Sequence, residues 1–84
     1  MTKLEEKLLK LGYEKIDSIA YEKPFIEGYI DICIELNVPW HKGDCIVNAY
    51  VYNSFPVLST KEQLDDLQQA FNILQSDLKE LKEC

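Results

Sequence analysis

Six apolar residues, Leu64, Leu67, Phe71, Leu74, Leu78 and Leu81, follow one another at steps of three, four, three, four and three. That spacing keeps returning to one side of an α-helix, the a/d stripe of a heptad pattern. A helix so patterned cannot leave its stripe in water, so it must bury it against its own chain or against another helix. Ser59 followed by Glu62 forms a capping box, and neither Gly nor Pro interrupts the run from there to Glu83. The predicted helix has about 24 residues and a length of about 36 Å. Ala70 and Ile73 widen the stripe, which favours burial within one globular chain. The last turn, Leu78 to Cys84, is left able to project and pair.

The other end also begins as a helix. Thr2 and Glu5 make a capping box, Leu4, Leu8 and Leu11 share one face with Leu9 beside it, and Gly12 supplies the stop. Ile16 to Glu22 alternates weakly, as an edge strand does, and Lys23-Pro24 reads as a break. From Phe25 to Leu36 the even positions carry Ile26, Ile30, Ile32, Ile34 and Leu36, with Gly28 among them, a period-two pattern. Residues 37–44 form a loop. A third strand, Cys45 to Asn53, sets Cys45, Val47, Ala49 and Val51 on one side and Ile46, Asn48, Tyr50 and Tyr52 on the other. The expected fold is α+β, in the order α-β-β-β-α. A three-stranded antiparallel meander has both helices packed on one face, within a single domain spanning 1–84.

Composition narrows the partners. The net charge is −6, with 15 acidic against 9 basic residues, so the footprint of a nucleic-acid binder is absent. A chain this acidic is repelled by phosphate backbones and by anionic lipid alike. No apolar run approaches a membrane span, and the start, Met1-Thr2-Lys3-Leu4-Glu5-Glu6, lacks the apolar block of a signal peptide. The expected location is cytoplasmic. Cys33, Cys45 and Cys84 are an odd set without paired spacing, expected as free thiols. Strand parity puts Cys33 on the free face and Cys45 on the core face, which argues against a bridge between them.

The face of the sheet left bare by the helices is the candidate site. It is expected to collect Phe25, Tyr29, Ile46, Tyr50 and Tyr52 with Glu27, Asp31 and Glu35 among them, and Trp40 lies on the loop beside it. One register permitted by core parity sets Tyr29 opposite Tyr52 and Asp31 opposite Tyr50, and a slip of two residues is equally permitted. Contiguous exposed rings mark a binding surface, or they pair across strands and merely stabilise the sheet. The carboxylates do not make an acid/base pair, because residues four apart on a strand are about 13 Å apart. They form a solvated stripe, or one that imitates nucleic-acid phosphates and docks in a basic protein groove. His41, Asp44 and Cys45 are near in sequence but lack paired metal-ligand spacing, so no metal is expected. One histidine, no recognisable nucleophile motif and no Gly-rich phosphate loop argue for no catalytic residues, no cofactor and no enzymatic activity.

The element order is similar to that of the double-stranded RNA-binding domain. That family uses basic residues at the start of its last helix, whereas here the segment Lys61-Glu62-Gln63-Leu64-Asp65-Asp66 is net acidic, so direct RNA binding is not implied. The segments Lys7-Leu8-Leu9-Lys10-Leu11-Gly12-Tyr13 and Leu67-Gln68-Gln69-Ala70-Phe71-Asn72 resemble parts of small proteins encoded by phages and mobile elements of low-GC Gram-positive bacteria. Some small acidic phage proteins of helix–sheet–helix layout, certain anti-CRISPR proteins among them, block host defence by occupying a nucleic-acid groove. The resemblance implies a phage protein that binds a host protein, such as a CRISPR effector, and inhibits it through a protein–protein contact. The alternative is a structural homodimer joined by sheet faces or last helices.

Overall fold

The structure, a computed structural model, describes residues 3–36, 45–53 and 61–81. Its elements are α1 (Lys3–Lys10), β1 (Glu14–Lys15), β2 (Ala20–Ile26), β3 (Ile30–Leu36), β4 (Ile46–Asn53) and α2 (Lys61–Glu80). The α+β class is as expected, but the antiparallel sheet has four strands in the order β1-β2-β3-β4.

The extra strand arises where one long strand was expected. The run from Phe25 to Leu36 is interrupted by a turn at residues 27–29, where Gly28 takes φ +77° and the Tyr29 N–H donates to the Ile26 carbonyl at 2.9 Å. A three-residue turn leaves Ile26 directly opposite Ile30. Directly opposite residues point to the same face, so the hairpin preserves the even-position pattern of a continuous strand. Lys23-Pro24 is not a break either, since both residues belong to β2 and pair with Ile32 and Asp31 of β3. β1 reaches only Tyr21 and Glu22, so at Pro24 the strand is an edge, where the missing N–H costs no ladder bond. The tight connection from β1 to β2 is held by Asp17, whose Oδ1 accepts from the Ile19 and Ala20 N–H groups at 2.9 Å each.

α1 ends as Gly12 predicts. With φ +97° at Gly12, the Tyr13 N–H donates to the Leu8 carbonyl at 3.0 Å and the Gly12 N–H to Leu9 at 3.1 Å, the two bonds of a Schellman motif. Leu4 and Leu8 of α1, Ile30, Ile32, Ile34 and Leu36 of β3, and Ala70 and Leu74 of α2 join one core cluster. Both helices therefore cover the same face of the sheet. Burying a side chain of this size contributes about 1.5–3 kcal/mol.

α2 does not bury the whole a/d stripe. Gln63, Ala70, Leu74 and Asp77 are its buried residues, Leu67 and Leu78 are partly covered, and Leu64 and Phe71 remain 55% and 50% exposed. The helix is turned so that Asp77 points inward. There its carboxylate accepts from Lys23 Nζ at 2.6 Å and from the Tyr13 hydroxyl at 2.8 Å, while the same ammonium donates to the Leu11 carbonyl at 3.1 Å. This clasp ties the end of α1, β2 and α2 together, with the Lys23 ammonium lying 4.6 Å from the centre of the Tyr13 ring. Burial, aided by Asp77, holds the Tyr13 phenol well above the usual tyrosine range.

Two sequence expectations fail at β4. Its pairing slips between Glu35 and Leu36, so Asn48 faces Glu35 while Ile46, not Val47, faces Leu36. The bulge sends Ile46 onto the core cluster and leaves Val47 61% exposed, the reverse of their expected sides. Cys33 is a free thiol, as expected, but it is buried although it lies on the side of the sheet away from the helices, and Cys45 is disulfide-bonded rather than a free thiol. Among the described residues, no helix is long and apolar enough to cross a membrane.

Candidate functional site: the open sheet face

The bare face is set by the register. Since Ile30, Ile32 and Ile34 are fully buried beneath the helices, their β3 neighbours Asp31, Cys33 and Glu35 point the other way. Pairing extends each of these into a row across three strands: Pro24–Asp31–Tyr52, Glu22–Cys33–Tyr50 and Ala20–Glu35–Asn48. The register is slipped by two residues from one that pairs Asp31 with Tyr50, so that Asp31 stands opposite Tyr52. Successive rows are about 7 Å apart and neighbouring strands about 4.8 Å. Tyr50 and Tyr52 thus stand side by side along the outer strand, with Asp31, Glu22 and Glu35 inboard of them.

The two rings differ in their freedom. Tyr52 is 53% exposed and Tyr50 38%. Tyr50 leans on the central strand through a hydrogen bond with the Cys33 sulfur. Burial is the main reason the Cys33 thiol holds its proton more tightly than usual, with Glu22, Asp31 and Glu35 acting the same way and the Tyr50 hydrogen bond opposing them. A thiolate on Cys33, then burial and Glu35, raise the Tyr50 phenol in turn. The reactive form of a cysteine is the thiolate, so this arrangement works against nucleophilic chemistry at Cys33. Asn48 Nδ2 donates to Glu35 Oε1 at 3.1 Å, fixing the third row.

Of the residues expected on this face, Asp31, Glu35, Tyr50 and Tyr52 lie there together. Glu27 is exposed but sits in the β2–β3 turn. Phe25 and Tyr29 pack against the core cluster instead of standing free, because the bulge at Pro24/Ile26 and the turn take them out of strand alternation. Trp40, with His41 and Asp44, lies outside the described residues. Glu22 was missed as part of the face. Its signal was its place in the weak alternation of the first strand, which registers beside β3 only once the hairpin is known. Among the described residues, no group of three or more His, Cys, Asp or Glu is arranged to hold a metal ion.

Compared with known proteins, the chain matches no family model, no curated sequence and no solved structure at a significant level.

Proposed function

We propose that the protein is a non-enzymatic binding module whose open sheet face docks on a basic surface of a partner protein. The observation that carries this reading is the pair of exposed rings, Tyr50 and Tyr52, set beside Glu22, Asp31 and Glu35 in three adjacent rows. Tyrosine supplies contact area at low entropic cost and is enriched where interfaces concentrate their energy. The carboxylates select a partner rich in Lys or Arg and steer its approach. They also set the face against nucleic acid itself, in keeping with the net charge of −6. The resemblance at the two ends of the chain names one form of this contact. In that form a phage- or mobile-element-encoded inhibitor occupies the nucleic-acid groove of a host-defence protein.

The test is affinity capture from host lysate with the wild type, with Tyr50→Ser/Tyr52→Ser, and with Asp31→Asn/Glu35→Gln. A partner taken up by the wild type is expected to be lost on the tyrosine variant. The amide variant should bind more weakly, with a flatter salt dependence, as far-UV circular dichroism stays unchanged. A partner held equally by all three proteins, or a purified nucleic acid bound by the wild type at physiological salt, overturns the reading.

A further inference from the structure

The two edges of the sheet are built differently. β1 at one end has two residues, Glu14 and Lys15, both charged. β4 at the other end has eight residues, IVNAYVYN, with no charge and no Pro. Natural sheets guard their edges with short strands, charges, Pro or bulges, because a bare edge templates pairing with another chain. β1 carries two of these guards, whereas among the described residues β4 shows only the bulge at Val47. Among the described residues, no strand lies beyond β4.

The exposed apolar residues gather at the same edge. Seven large apolar side chains are exposed among the described residues, and five of them, Val47, Tyr50, Tyr52, Leu64 and Phe71, belong to β4 and α2. Their position on α2 follows from the clasp. Asp77 faces β2 and Tyr13, and at about 100° per residue Phe71 and Leu64 lie about 120–140° around the helix from it. Their flank is therefore the one turned away from β2, above the β4 edge. The exposed residues beside Phe71 there are Gln68, Asn72 and Gln75, with no charge among them.

We propose that this edge joins a second copy of the chain. The two β4 strands pair antiparallel about a twofold axis, merging two four-stranded sheets into one, and Leu64 and Phe71 of the two α2 helices meet beneath the seam. Charge selects this occupant. Two chains of net charge −6 repel wherever their acidic surfaces meet, and this edge is where the acidic protein presents a long uncharged surface. Opposed residues must point to the same face, so one allowed register sets Tyr50 opposite its own copy and Tyr52 opposite Asn48. The two open faces then run together with four tyrosines across the seam. The inference does not depend on the open face binding a partner.

Light scattering on a sizing column at tens of micromolar should give twice the 9.8 kDa chain mass. Val47→Lys and Phe71→Glu, both at exposed positions, should return the mass to that of one chain with far-UV circular dichroism unchanged. Leu64→Lys repeats the test should either variant fail to fold. Leu9→Lys and Ile16→Lys, exposed apolar positions on other elements, should remain dimeric. In the wild type, hydrogen exchange at residues 47–52 should slow as concentration rises. A monomeric wild type, dimers that survive both edge variants, or a dimer broken by the Leu9 or Ile16 control overturns the proposal.

Discussion

Removing Lys23 from the clasp tests how the helices are held. In Lys23→Met the apolar stem remains but the ammonium is lost. Asp77, whose side chain is only 10% exposed, then keeps the Tyr13 hydroxyl as a donor, and the Leu11 carbonyl loses a donor at 3.1 Å. Breaking a buried pair from one side costs about 3–5 kcal/mol, and the lower end applies because the Lys23 side chain is 19% exposed. Marginal stability for 84 residues is about 4–13 kcal/mol, so a loss of about 3 kcal/mol is a large share. It corresponds to a fall in Tm of roughly 12–24 °C. Asp77→Leu should cost a comparable amount by stranding the ammonium. The double variant should cost less than the sum, since neither charge is then left alone. Urea denaturation of the four proteins gives a coupling energy of about 2–3 kcal/mol, with the m-value unchanged. A coupling below about 0.5 kcal/mol refutes the clasp as an energetic unit.

Gly12→Ala should destabilise beyond the roughly 1–2 kcal/mol of a left-handed backbone, because its Cβ would meet Lys23 Cδ at 3.3 Å. Gly28→Ala, with nothing within 4 Å of the new Cβ, should show the backbone cost alone in the same urea series. Stability should fall as pH rises above the ordinary thiol and phenol values of 9 and 10. Cys33, Tyr13 and Tyr50 all hold their protons more tightly when folded, so the unfolded chain gives them up first. Tyr13→Phe should flatten that alkaline decline, and urea midpoints from pH 7 to 11 that stay level in the wild type would contradict the sign. Ile32→Ala, at a fully buried position of the central cluster, should cost about 2–5 kcal/mol by thermal melting.

Much of this fold can be read from the chain, and the misreadings share one physical origin. Period-two alternation reports which face a residue occupies, not where the chain reverses. Ile26 and Ile30 lie on the same face whether they belong to one strand or to two strands joined by three residues, so the hairpin at Gly28 leaves no trace in the pattern. A bulge does the opposite damage. One extra residue at Val47 flips the parity of everything before it, which is why Ile46 is assigned to the wrong side while Ala49 and Val51 are not. α2 shows a third limit. The heptad stripe marks an apolar side about 100° wide, but the buried direction within it is set by the polar contacts of Asp77 with Lys23 and Tyr13. Those partners are 54 and 64 residues away in sequence.

The candidate site was legible where alternation ran undisturbed, at Asp31, Glu35, Tyr50 and Tyr52, and failed next to the turn, at Phe25 and Tyr29. Edges are a different property from faces. They follow from strand order, which no local period encodes, so the contrast between charged β1 and uncharged β4 acquires meaning only once both are known to be ends. Tyr50 and Tyr52 belong to the open face and to the outer strand at once, so replacing them perturbs both proposed contacts. Two other positions separate them. Asp31 lies on β3, one strand in from the edge, and Val47 lies on the edge strand at the bulge, off the three rows of the face. Asp31→Asn should therefore weaken partner capture while leaving the solution mass doubled. Val47→Lys should halve the mass and leave capture by each chain intact. If both substitutions act on both readouts, the face and the edge are one surface, and dimerisation is the means by which the partner site is assembled.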